Sequence, residues 1–102
     1  MPVLVMNGTT EVEVARALPG RVVQVAYLDF YNADTAAVTV LVKVYDQLGT
    51  ARTVRKYAIQ PDASSTPYDS QNGPQLSGGE RMIVVLNAAV VTNQPICHVN
   101  TR

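Results

Sequence analysis

Arg21-Val-Val-Gln-Val-Ala-Tyr-Leu-Asp-Phe-Tyr-Asn32 and Ala36-Ala-Val-Thr-Val-Leu-Val-Lys-Val-Tyr-Asp46 decide the reading of this chain. Both runs are dense in β-branched and aromatic residues, which suit a pleated, half-buried surface better than a helix. In the second run Val38, Val40, Val42 and Val44 fall on one face, with Thr39, Leu41, Lys43 and Tyr45 on the other. The short polar link Asn32-Ala-Asp-Thr35 makes an antiparallel hairpin the simplest connection. In the first run Val22, Gln24, Ala26, Leu28 and Phe30 share a face opposite Val23, Val25, Tyr27, Asp29 and Tyr31, so both of its faces are expected to be covered. One cover is the sandwich itself, and the other is expected to be either a neighbouring subunit or a long loop of the same chain.

The rest of the chain repeats the same signature. Thr9 to Arg16 alternates, with Val12 and Val14 set against Glu11 and Glu13, and Leu18-Pro-Gly20 closes it. Arg52 to Ile59, Glu80 to Leu86 and Pro95 to Thr101 read as further strands, and no helix of ordinary length is found. Seven to eight short strands separated by turn signals predict an all-β, antiparallel β-sandwich of jelly-roll-like or Greek-key type. Residues 1–8 are expected to form an N-terminal strand or arm. Residues 9–102 form a single sandwich domain, with a long polar loop at 60–79 holding Pro61, Pro67 and Pro74.

A length of 102 residues accommodates one core, and 47% hydrophobic against 16% charged residues is rich for so small a domain. Part of that surface is expected to meet a partner. Eight basic and eight acidic residues cancel, so no field gathers nucleic acid or an anionic membrane. Apolar runs stay well short of the roughly 18 residues a membrane-spanning helix needs. Residues 1–8 lack the pattern of a secretory signal, and synthesis in the cytosol is expected.

The catalytic inventory is thin. His98 is the one histidine and Cys97 the one cysteine, and as strand neighbours they point to opposite faces. Two nitrogen or sulfur ligands do not make a zinc site. Asp62 and Asp69 in the long loop match no calcium-loop spacing, and Glu11 with Glu13 reads as a solvated face rather than an acid pair. Gly78-Gly79 lacks the lysine and helix of a phosphate loop. The chain is therefore read as a non-enzyme with no cofactor and no metal. Arg52, Arg55 and Lys56 form the local basic cluster, read as edge-strand protection and as half of a protein interface.

Taken in order, Thr10-Glu-Val-Glu-Val14, Leu28-Asp-Phe-Tyr-Asn32, Ala33-Asp-Thr-Ala-Ala37, Val38-Thr-Val-Leu-Val42 and Leu76-Ser-Gly-Gly-Glu-Arg-Met-Ile-Val84 resemble the small β-sandwich structural proteins of tailed bacteriophages, which include capsid decoration or cement proteins. In that group an asparagine ends the strand before an alanine-rich link, and a late leucine and glycine-acidic turn leads into a core strand. Asn32, Leu76, Gly79, Glu80 and Ile83 stand in those places. The longer 60–79 loop and the apolar N-terminal segment depart from the pattern.

The resemblance implies a virion structural protein, made in the host cytoplasm, that binds the major capsid protein on the capsid exterior. It also implies a homo-oligomer, a trimer before a dimer. Candidate interface residues are Val3, Leu4 and Val5, the basic set Arg52, Arg55 and Lys56, and Tyr68 as the one aromatic of the long loop. The alternatives are a carbohydrate-binding or adhesin-like module of a phage fibre, and a neck or tail component.

Overall fold

The computed structural model describes residues 3–68 and 73–102. Nine strands are present among them: β1 (Val3–Val5), β2 (Val12–Arg16), β3 (Val22–Tyr31), β4 (Val38–Tyr45), β5 (Ala51–Ile59), β6 (Ser64–Tyr68), β7 (Gln75–Ser77), β8 (Arg81–Leu86) and β9 (Ile96–Thr101). They form two antiparallel sheets, one in the order β1-β9-β3-β6 with β7 also on β3, the other β2-β8-β4-β5. The all-β sandwich is thus the observed architecture. Among the described residues no helix is long and apolar enough to cross a membrane.

The connection expected to be a hairpin is something else. β3 pairs with β9, β6 and β7, whereas β4 pairs with β5 and β8, so the two decisive runs lie in different sheets. The link between them is an arch over the end of the sandwich, and buried polar side chains shape it. Asn32 Nδ2 donates to the carbonyls of Ala36 (2.9 Å) and Ile59 (3.0 Å), while Asn32 Oδ1 accepts the Asp34 amide (2.9 Å). The carboxylate of Asp34 accepts the amides of Thr35 (2.8 Å), Val91 (2.9 Å), Thr92 (2.8 Å) and Asn93 (3.2 Å). The arch is thereby tied to the turn between β8 and β9, and otherwise orphaned backbone groups are satisfied where water is excluded.

The expected division of β3 residues between two faces is also corrected. The β3 and β9 registers pair Val25 with Thr101 and Tyr27 with Asn100, so Ala26 is an inserted residue. A bulge of this kind reverses the phase of the strand. Val25 faces the core before it, and Leu28 and Phe30 face the core after it, all fully buried. Apolar residues on both nominal faces of β3 therefore feed one interior. Tyr27, Asp29 and Tyr31 remain half-exposed on the outer side.

A second bulge, at Val14 in β2, acts in the same way. It buries Val14 and Ala15 together and leaves Glu13 and Arg16 on the wet face, where their side chains meet at 2.7 Å. The core packs Val25, Leu28 and Phe30 of one sheet against Val40, Val42, Met82, Val84 and Leu86 of the other.

The N-terminal segment is an integral strand. β1 pairs with β9, Met6 is buried, and its amide donates to the Pro95 carbonyl (2.9 Å). The described parts of the 60–79 segment carry two strands: β6 and β7 lie in succession along one side of β3. Gly73 is needed there, because a Cβ at that position would overlap the Val25 carbonyl.

Candidate interaction surface

β4 and β5 are consecutive strands that pair, joined by a loop whose glycine, Gly49, has the left-handed φ of 86°. Asp46 Oδ1 accepts the amides of Leu48 and Thr50, both at 2.9 Å, which closes the loop and leaves Leu48 91% exposed at its tip. β5 ends its sheet, and residues 51–56 are exposed in succession. Consecutive exposure on a strand means that both faces of this half of β5 stand clear of the sandwich.

Arg52, Arg55 and Lys56 all lie on this exposed half. Lys43 joins them from β4, paired with Thr53, and Leu41 pairs with Lys56. Four of the eight basic residues thus sit on one pair of strands. Among the described residues none of these four takes part in an ion pair. The opposite end of the same sheet is different, because there Arg81 and Arg16 both approach Glu13, and Arg81 stacks over the Tyr45 ring at 4.0 Å. Tyr45 in turn donates to Glu11 (2.8 Å), an arrangement that engages Glu11 and Glu13 in surface contacts rather than with each other.

Val3 and Val5 are exposed on β1, with Leu4 half-buried between them. β1 ends the first sheet beside β9 and lies against β2, whereas β5 lies against β6. The two predicted patches therefore occupy opposite flanks of the sandwich and do not form one site. Tyr68 corrects the expectation of a loop aromatic: it is the last residue of β6, pairs with Leu28, and is only 7% exposed. Its ring is part of the core.

His98 and Asp29 face one another across the β3 and β9 pair, with His98 Nδ1 3.7 Å from Asp29 Oδ2. Thr66 donates to the other oxygen of Asp29 (2.8 Å). This row lies on the outer face of the first sheet, beside Tyr27 and Tyr31. Cys97 is on the opposite, inner face and fully buried. Burial, helped by the charge of Asp29, pushes its thiol pKa up to about 12. At pH 8 the native protein is therefore expected to resist an aromatic disulfide reagent, while the urea-unfolded chain reacts with one equivalent. Rapid labelling of the native protein would contradict the buried placement.

Among the described residues no group of three His, Cys, Asp or Glu side chains is placed to hold a metal ion. Asp69, named with Asp62 in the calcium reading, lies outside them; Asp62 itself accepts the Tyr31 hydroxyl (3.0 Å).

No family model matches this sequence, and no curated protein matches it. The fold is similar to that of PirA. The crystal structure of PirA superposes with a TM-score of 0.64 over 97% of this chain and 92% of that chain, at 18% sequence identity. At that identity the likeness concerns the fold alone. It corroborates the all-β sandwich.

A cavity of about 300 Å³ opens beside β5, lined by Val44, Asp46, Arg52 and Val54 from the second sheet and its loop and by Pro74, Gln75, Leu76 and Glu80 from the β7 segment. Sequence reading missed it because its walls come from residues far apart in the chain. The bulge in β5 contributes as well: Val42 pairs with Arg55 and Lys43 with Thr53, so Val54 is the inserted residue.

Proposed function

We propose that this chain is a non-enzymatic virion structural protein, a decoration protein that binds the major capsid protein on the outside of the shell and bridges neighbouring subunits. One observation carries the reading: two exposed edge strands, apolar β1 and basic β5, lie on opposite flanks of one sandwich. A clamp needs two separated contact surfaces held at fixed distance. Repetition around a symmetric lattice lets modest contacts sum to a strong attachment, and a trimer at three-fold positions suits such a lattice. The sequence resemblance supports the same assignment.

The test is to mix the purified protein with expanded, empty shells and measure co-sedimentation and the melting temperature of the shell. Saturable binding with a raised melting temperature is expected. Absence of shell binding, with the protein located at the neck or tail of the particle, overturns the decoration assignment. A carbohydrate-binding role is the second reading, favoured by Tyr27 and Tyr31 flanking Asp29 on the outer face of β3. Glycan binding abolished by Tyr31→Ala, in a protein that ignores shells, would establish it instead.

A further inference from the structure

We infer that the free edge of β5 receives an extended acidic segment of the partner protein as an added strand, with one apolar side chain of that segment seated in the cavity between β5 and β7. The inference rests on the docking role proposed above and names the chemistry of the docked segment.

An edge strand offers a row of unpaired amides and carbonyls that any extended chain can complete, and added-strand binding uses that row. β5 has nine residues, and residues 51–56 are exposed on both faces. No backbone hydrogen bond of residues 51–58 other than those to β4 is present among the described residues. The side chains flanking this row are cationic on both faces. Arg52 and Arg55 pair with the inward-facing Val44 and Val42, while Lys56 and Lys43 belong to the outer face.

Charge then selects the occupant. A second copy of this chain brings the same four cations to the edge and supplies no acidic residue from its own β5, and antiparallel self-pairing centred on Val54 opposes Arg52 with Lys56. Centring on Arg55 or Lys56 opposes each residue with its own like charge. Like charges directly across a strand pair are destabilising. A neutral strand leaves four cations without partners, and a basic one adds repulsion. An acidic strand converts the same groups into attraction, so that the cations reject most strands and admit one class.

The cavity supplies the apolar term. It adjoins Val54 and Arg52 on β5, and its apolar walls at Val44, Val54, Pro74 and Leu76 suit a large aliphatic or aromatic side chain projecting from the added strand. Gln75, Asp46 and Glu80 complete the lining; the two carboxylates accept the amides of Leu48, Thr50 and Ser77, and they favour an uncharged side chain inside the cavity while the acidic residues of the segment meet the cations outside it. The bulge at Val54 turns this part of the edge, which distinguishes the site from a flat edge open to indiscriminate pairing.

The test uses the full chain and three short dye-labelled peptides followed by fluorescence anisotropy: valine alternating with glutamate, valine alternating with lysine, and the glutamate version interrupted by proline. Saturable binding of the glutamate peptide is expected, with the other two weaker by about tenfold or more. Raised salt should weaken it, and backbone amide shifts should concentrate in residues 51–57. The double substitution Arg55→Glu with Lys56→Glu lies at exposed positions and should reverse the preference toward the lysine peptide.

Equal affinity for the glutamate and lysine peptides, undiminished binding of the proline peptide, or shifts centred elsewhere would overturn the inference. So would self-association through β5. The doubly reversed protein still binding shells at full strength would also overturn it, while leaving the decoration role standing.

Discussion

Replacing Asp34 by asparagine is expected to lower the melting temperature by roughly 10 °C or more, the scale on which losing two or so buried hydrogen bonds acts in a domain of this length. Asp34 is 2% exposed, yet its carboxylate is satisfied by four backbone amides, that of its neighbour Thr35 and three from the distant 91–93 turn. An amide side chain has the same shape but presents an NH2 group where one carboxylate oxygen stood. A donor then faces the Val91 amide or the Thr92 and Asn93 amides, and the turn between β8 and β9 loses its anchor to the arch.

The pH dependence follows from the same contacts. The Val91 amide foremost, then those of Thr92, Asn93 and Thr35, hold the carboxyl pKa down to about 2 against the opposing effect of burial. A folded pKa below the unfolded value stabilises the native state only where the group is ionised. That contribution is complete above the unfolded value of 3.8 and is lost as pH falls toward 2. Urea unfolding midpoints of the wild type and Asp34→Asn, measured from pH 6 to pH 2, should therefore differ most near pH 5 and converge toward pH 2. A constant difference across that range would contradict the assignment.

Phe30→Ala is expected to cost about 4 kcal/mol, in the range for removing a fully buried aromatic ring from a packed core. Phe30 is wholly buried in the half of β3 that follows the bulge, and it pairs with Cys97 on β9 and Ser65 on β6. Its ring meets Tyr57 of β5 at a centroid distance of 6.1 Å and an interplanar angle of 54°. Truncation therefore opens the interior and uncovers the one aromatic ring of β5. Since domains of this size have stabilities of about 5–15 kcal/mol, the variant should be close to unfolded at physiological temperature. Phe30→Leu, which keeps most of the volume, should lose far less. Equilibrium urea denaturation measures both, and a loss below about 1 kcal/mol for the alanine variant would show that the ring is not a central packing element.

Most of the strands were legible in the alternation of valines with polar residues, because a half-buried strand requires that pattern. β8 was legible despite being apolar on both sides: Met82, Val84 and Leu86 enter the core, and Ile83 is covered on the outer face between Glu13 and Lys43. The basic residues of the candidate surface were legible as an edge, since cations on a strand guard its unpaired side. Tyr68 was misread because Pro67 and the polar residues around it look like loop, although β6 completes the pairing of β3. The cavity beside β5 and the anchoring role of Asp34 had no local signal, since each joins segments far apart in sequence.

The sequence by itself determined the fold class, the positions of most strands, and a cationic β5 without acidic residues, because side-chain alternation and charge are local properties. Only the tertiary structure decided that β3 and β4 face each other across the core instead of pairing, because the same short polar link serves a hairpin or an arch and long-range pairing chooses between them. It also decided that the apolar residues on both nominal faces of β3 enter one interior. A single inserted residue at Ala26 reverses the phase of everything after it, and whether a residue is inserted depends on the partner strand.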